Sequence, residues 1–590
     1  MKHTLLLIIA LFCFGQNIQA DTHKKREVRG VWLATVYNID WPSQKGTTYA
    51  VRKAQKEEML QFIEIFDKCH MNAIYFQVRP MADALYRSSY EPWSSYLTGS
   101  RGSNAGWDPL EWMVEECHKR GIECHAWLNP YRFAKTQAEY DSFNTTKDKA
   151  AKSAGMFIQY SGTYIFNPAL PETRERIVNV CREIIEKYDV DGIIFDDYFY
   201  PSGMPTNSSA GDYKNYTAYM NAGGKLSMGD WRRANVNEMV ADVYNMIQEV
   251  DPSVTFGISP AGVACSNATV AAKHGISPCP AGSDWQYDGI FSDPVAWLEE
   301  GTIDYISPQI YWKTDHATNP FEPITKWWSE VANKFGRHHY ASHSLTYMQT
   351  SNTEADWKEA GNQMQYSRLR TKNNAPGAIW YSACDIDGHK VSGFGDWLLK
   401  NKYQFPALAP AINWKEHPEM GKVTNLRIEG DSLKWEGPEK VRFCIYAIPN
   451  EIAKETVQSK SYGGIQSVYM LGNSYTCQYR IPEEFAFGYY FAVSILDRYR
   501  NEYEARYTTD PEDDTQVEEE LMSNDIEVTF AEGTLRLSDE AQTVRVYTTS
   551  GMLVAEGTRT KELNLNCRPG IYIVRVVASN HMVVKKISVR

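Results

Sequence analysis

Beyond its first twenty residues the 590-residue chain has no apolar run near the roughly 20 residues that a bilayer span needs, so we expect no integral membrane segment. It also lacks a basic surplus. Against 73 Asp and Glu there are 61 Lys and Arg, a net charge of −12 with no basic cluster, which excludes a phosphate-backbone partner and disfavours an acidic membrane surface. Past the first twenty residues, ten cysteines are scattered from Cys69 to Cys567 without the spacing of a metal site or a dense disulfide framework. We therefore expect no metal and no cofactor. Most cysteines read as small buried apolar residues, with Cys265 and Cys279 able to close one loop. Ser259 has no identifiable His–Asp relay, which disfavours serine nucleophile chemistry. Aromatics, in contrast, are plentiful at 13%, including 17 Trp and 37 Tyr, and their flat faces suit sugar rings as well as cores.

The length leaves room for one large unit and one or two small modules at roughly 100–200 residues per domain. Met1 to Ala20 carries Lys2, an apolar run from Leu5 to Gly15 and a polar exit, the pattern of a secretory signal, so we expect an exported protein found in the periplasm, at the cell surface or outside. Cys13, inside that run, sits in a poor context for lipid attachment. From Arg29 to about Lys402, short β-branched runs alternate with amphipathic segments. The strand candidates are Gly30–Tyr37, Ala73–Arg79, Glu123–Asn129, Gly192–Asp196, Thr255–Ser259, Tyr305–Tyr311, His339–Ser344 and Gly377–Tyr381. Eight βα pairs predict an α/β fold, a (β/α)8 TIM barrel over residues 27–405, followed by two small all-β domains. The first of these, 420–507, reads as a β-sandwich of the fibronectin type III kind. An acidic linker at 508–523 and a second all-β domain at 524–590 complete the chain.

In such a barrel the βα loops gather at the C-terminal ends of the strands, where the site is expected. The sharpest signal lies there: Asp191-Gly192-Ile193-Ile194-Phe195-Asp196-Asp197-Tyr198, apolar residues running into two adjacent carboxylates. Glycosidic cleavage needs a proton for the leaving oxygen and a second carboxylate, and adjacent acids push their pKa values apart. Asp196 and Asp197 are therefore the catalytic candidates, against a reading in which one caps the loop and the other makes an ion pair. Adjacent residues diverge in a strand, so the partner acid can instead come from Asp40, Asp83, Glu91, Asp293 or Asp315. Strand alternation puts Gln77 with Arg79, His125 with Asn129, and Gln309 with Tyr311 on shared faces near strand ends, which makes them glycan-binding candidates. Trp312 and Trp380 are candidates for ring stacking, Trp41 and Trp107 less so, and each serves equally well as core.

Arg29-Gly30-Val31-Trp32-Leu33, Glu91-Pro92-Trp93-Ser94, His125-Ala126-Trp127-Leu128-Asn129-Pro130, Phe195-Asp196-Asp197-Tyr198-Phe199 and Pro308-Gln309-Ile310-Tyr311-Trp312 together resemble the bacterial glycosyl-hydrolase-like ten family. The resemblance covers about residues 27 to 405. It implies a TIM barrel, export and, in some members, hydrolysis of peptidoglycan strands stripped of peptide. The fourth strand is also similar to that of chitinase-like barrels, but Tyr198 stands where those enzymes carry an acid, against an N-acetyl-assisted mechanism of their kind. The C-terminal segment, with Val546-Tyr547-Thr548-Thr549-Ser550-Gly551, resembles the sorting domains of Bacteroidetes secreted proteins.

Overall fold

The computed structural model describes residues 24–510 and 527–589 apart from 373–374, 460–463, 532, 549–552 and 578–581. The signal-like segment and most of the acidic linker fall outside the described residues. Eight parallel strands form the barrel: β1 (Val28–Leu33), β2 (Ala73–Arg79), β3 (Glu123–Leu128), β4 (Gly192–Phe195), β5 (Thr255–Ile258), β6 (Tyr305–Ile306), β7, in two pieces (His338–His339 and Ala341–Ser344), and β8 (Gly377–Tyr381). The first piece of β7 pairs with β6 and the second with β8, so the broken strand closes the ring. Bonds from Tyr340 N to Ile306 O and from Ser342 N to Pro308 O carry the β6 pairing across the break.

Helices α1 (Tyr49–Lys68), α2 (Pro109–His118), α3 (Pro171–Lys187), α4 (Met228–Val250), α5 (Pro294–Glu299), α6 (Phe321–Lys334), α7 (Glu354–Arg370) and α8 (Phe394–Asn401) wrap the ring. Their starts are written locally. Asp108 caps α2 with Pro109 in its first turn, and Thr353 with Asp356 makes a capping box on α7. Side chains alternate across each strand. Ile193 and Phe195 join the helix-facing core, whereas Ile194 joins Trp32, Tyr75, Trp127, Tyr305, Tyr340 and Ile379 inside the barrel. Glycines make room for these rings: a Cβ on Gly257 would stand 2.2 Å from the Tyr305 ring, and one on Gly192 2.2 Å from His125 Nδ1.

After the barrel, a three-stranded antiparallel sheet (Thr424–Glu429, Ser432–Glu436, Gln478–Arg480) faces a four-stranded one (Met470–Ser474, Arg442–Pro449, Tyr489–Leu496, Arg506–Tyr507). Trp435, Phe443, Phe491 and Val493 fill the space between them. This sandwich is part of the same compact unit as the barrel, and it reaches into the barrel's N-terminal end. There Glu123, buried, accepts from Arg500 Nε at 2.9 Å and Nη2 at 2.7 Å and pairs with Arg442 at 2.8 Å. A second unit, considered by itself, is an all-antiparallel sheet built on Thr534–Thr548, Leu553–Asn564, Gly570–Val577 and Met582–Val589 with Val528–Ala531 at its edge. No helix among the described residues is long and apolar enough to cross a membrane.

Candidate active site

Counting inward positions up each strand from the barrel interior leads, at or just past the C-terminal end of each of the eight strands, to Ala34, Gln77, Asn129, Asp196, Ser259, Gln309, Ser342 and Tyr381, which line the mouth. Asp196 takes its place because it lies two residues past the interior Ile194. Its Oδ1 accepts from Asn129 Nδ2 at 2.6 Å and its Oδ2 from Trp127 Nε1 at 3.2 Å. The other end of Asn129 is fixed in turn, Oδ1 accepting from the backbone N–H groups of Tyr131 and Arg132. Burial raises the Asp196 pKa, opposed by the Arg132 charge and the Asn129 and Trp127 donors.

Asp197 follows the strand's end, also buried. Burial, then the charge of Asp196, pushes its pKa up to about 7, and a bond from Gln309 opposes the rise. Gln309 also donates to the Ser259 carbonyl at 3.1 Å, tying the fourth, fifth and sixth strands together under the acid. The Arg132 guanidinium lies 3.8 Å over the Tyr198 ring, and Tyr198 is 50% exposed. Tyr311 and Tyr381 pack with centroids 5.9 Å apart, near enough to the acids that the Asp197 charge helps raise the Tyr311 pKa. The half-exposed Tyr37, stacked edge-on with Tyr96 and covered by Lys135, adds another ring from the loop after β1. Two adjacent buried carboxyl groups, one raised to about 7, with flat faces around them, are the kinds of group that glycosidic cleavage uses.

Other sequence-chosen residues stand elsewhere. His125 shares the face of Asn129 but lies four residues, about 13 Å, lower in the barrel. There its Nε2 meets Glu123 Oε2 at 3.0 Å, so it is a floor residue. Arg79 is buried in an ion pair with Glu91 at 2.8 Å, which Arg176 shares, and it also holds the Asn129 carbonyl, so neither Arg79 nor Glu91 faces a ligand. Gln77 sits in the mouth ring as a brace, its Oε1 accepting from Thr35 N and Val36 N. Asp40 is consumed by Ala34 N, Ser382 Oγ and Cys384 N, and Asp83 by Met81 N and Arg101. Trp380 points outward from β8 into the helix-facing core against Phe394, and Trp41 and Trp107 both bond Gln55 inside that core. Trp312 remains partly exposed and lines, with Tyr311, Asp315 and His316, a cavity of about 260 Å³ beside the mouth.

Trp127 and Arg132 are the residues sequence reasoning passed over. Trp127 shares the Asn129 parity, which was the available signal, and Arg132 stands in the same quoted run. Among the described residues the group with metal-ligating geometry, Cys265, His274 and Asp293, does not include either acid.

The chain is similar to "Glycosyl hydrolase YngK" of Bacillus subtilis, 34% identical over 469 residues, which span 76% of this chain and 88% of the relative. It is 32% identical over 378 residues to "Glycosyl hydrolase DigH" of Escherichia coli, 61% of this chain and 83% of that protein. Among solved structures, the PgaB glycoside hydrolase domain of Bordetella bronchiseptica aligns with a TM-score of 0.41 at 10% identity, over 64% of this chain and 98% of that one, a likeness too low to bear on the site. The family model described as "Glycosyl hydrolase-like 10" matches residues 27–359, and the chain therefore belongs to that family.

Proposed function

We propose that this protein is an exported glycoside hydrolase that cleaves O-glycosidic bonds of a bacterial glycan, peptide-stripped peptidoglycan strands first. One observation carries the reading: Asp196 and Asp197 stand side by side at the open end of the barrel, the first held by Asn129 and Trp127, the second titrating near neutrality. In this mechanism Asp197 gives its proton to the leaving oxygen as the bond to the anomeric carbon breaks. Asp196, ionised, stabilises the cationic sugar. Water then supplies hydroxide to the anomeric carbon and its remaining proton restores Asp197. Tyr198, Tyr311, Tyr381 and Trp312 offer the flat faces on which sugar rings stack. Export rests on the signal-like first twenty residues, and the bacterial glycan on the resemblance of the barrel motifs.

The test incubates purified protein with peptide-free glycan strands and a small panel of other polysaccharides, and counts new reducing ends. Wild type releases them from the strands, and Asp196→Asn does not. Binding of strands without any new reducing end would make the barrel a glycan receptor, and release from a dietary or host polysaccharide alone would move the substrate.

A further inference from the structure

The loop that follows β5 gathers side chains that the glycosidase reading does not use. Cys265, His274 and Asp293 are buried, and their sulfur, imidazole nitrogen and carboxylate oxygen lie within 4.8 Å of one another. They arrive from three separate points: a left-handed turn at Cys265 with φ 53°, the residue ending the short helix Ala268–Lys273, and the residue capping α5.

Two of the three are aimed from behind. His274 Nδ1 lies 2.7 Å from Glu299 Oε2, the arrangement by which a carboxylate fixes an imidazole and turns its other nitrogen toward a metal. That nitrogen, Nε2, makes no hydrogen bond although the side chain is only 8% exposed; Asp293 Oδ2, 3.3 Å away, lies off the line an N–H bond requires. Asp293 spends Oδ1 on Ala296 N, which leaves Oδ2 facing the histidine. Asp284 likewise spends Oδ1 on Tyr287 N at 3.1 Å, while its buried Oδ2 has no partner. The Asp284 charge acts on Cys265 and Cys279. The imidazole thus faces a carboxylate through each nitrogen, the Nε2 contact at 3.3 Å being an ion pair without an aligned hydrogen bond, and the Cys265 thiol stands beside that second contact.

We propose that this cluster is a zinc site, with Cys265 Sγ, His274 Nε2 and Asp293 Oδ2 as its three protein ligands. The mixed sulfur, nitrogen and oxygen set suits tetrahedral Zn²⁺, whereas Mg²⁺ and Ca²⁺ take oxygen alone. On binding, Cys265 gives up its thiol proton to solvent and the ion takes the thiolate. The ion fastens the middle of the loop to α5. The start of that loop is the Ser259 carbonyl on which Gln309 leans and the Gly262 carbonyl that accepts from Trp328 Nε1 at 2.7 Å. This inference stands independently of whether the barrel turns over a glycan.

The full-length protein, stripped with a chelator under reducing conditions, is given Zn²⁺ alone, desalted and analysed for metal. Wild type retains about one zinc per chain, and Cys265→Ser and Asp293→Asn retain none while keeping their circular dichroism. Because Cys265→Ser can fail to fold, wild type is also loaded with Co²⁺, which should show a thiolate-to-metal charge-transfer band and the visible intensity of a tetrahedral site. Zinc should raise the thermal midpoint of wild type and leave both variants unmoved. No retained zinc, equal retention in the variants, a cobalt spectrum without thiolate bands, or Cys265 joined to Cys279 as a disulfide in the exported protein would each overturn the proposal.

Discussion

Asparagine at position 197 removes the carboxyl whose burial beside Asp196 lifts its pKa from 3.8 to about 7. With its folded pKa raised, the native chain binds more protons than the unfolded one between those limits. Stability contributed by this group is therefore greatest in acid, falls as pH rises from about 4 to about 7, and the full cost stands above that. A rise of roughly three pH units at about 1.36 kcal/mol each sets that cost on the order of 4 kcal/mol. Asp197→Asn is neutral at every pH and escapes it. We expect the variant to match wild type at about pH 4 and to exceed it by a few kcal/mol at about pH 8. Turnover near neutrality should fall by about 10²-fold or more, the usual worth of a general acid. The assay is urea unfolding followed by tryptophan fluorescence. It is read as the difference between variant and wild type at each pH, because a chain of two compact units need not unfold in one step. A gain of equal size at both pH values would refute the reasoning, since it would show that Asp197 does not titrate between them.

Trp127→Phe keeps the ring and deletes the donor to Asp196 Oδ2; a charge-assisted bond of about 1.5–3 kcal/mol predicts a rate loss of about tenfold or more. The acid limb of the pH–rate profile should move to higher pH, because losing a donor to the carboxylate raises its pKa, and an unmoved limb would remove Asp196 from the ionised role. Arg500→Ala leaves Glu123 short of a counter-charge and should cost about 3–5 kcal/mol in thermal or urea unfolding. Adding Glu123→Gln should recover part of that loss, and a double variant no better than the single would deny the coupling. Arg79→Met should lower stability and leave the Michaelis constant for glycan unchanged, whereas a weakened Michaelis constant alone would return Arg79 to the binding surface.

Barrel strands were legible because they are covered on both faces and read as apolar runs between amphipathic segments. Alternation also placed Asn129, Asp196 and Gln309 on the inner face, since parity depends only on counting. Depth does not follow from parity. His125 and Asn129 share a face, yet one lies in the floor and the other at the mouth, and only the ends of the strands decide which. Gln77 and Arg79 were misread for a related reason: a polar side chain near a strand end can serve the neighbouring backbone or a carboxylate twelve residues on, as Glu91 does. Trp380 fell on the outer face because Ile379 takes the inner one. No local pattern announces that Arg500 will meet Glu123 377 residues away.

That distant partnership sets an order of assembly. Synthesis delivers the whole barrel before Arg442 and Arg500 leave the ribosome, and of the described partners of Glu123 only His125 belongs to the barrel. The counter-charges that complete the foot of the ring therefore come from the sandwich. The last-made module of the unit thus carries the charges on which the buried acid of its third strand depends.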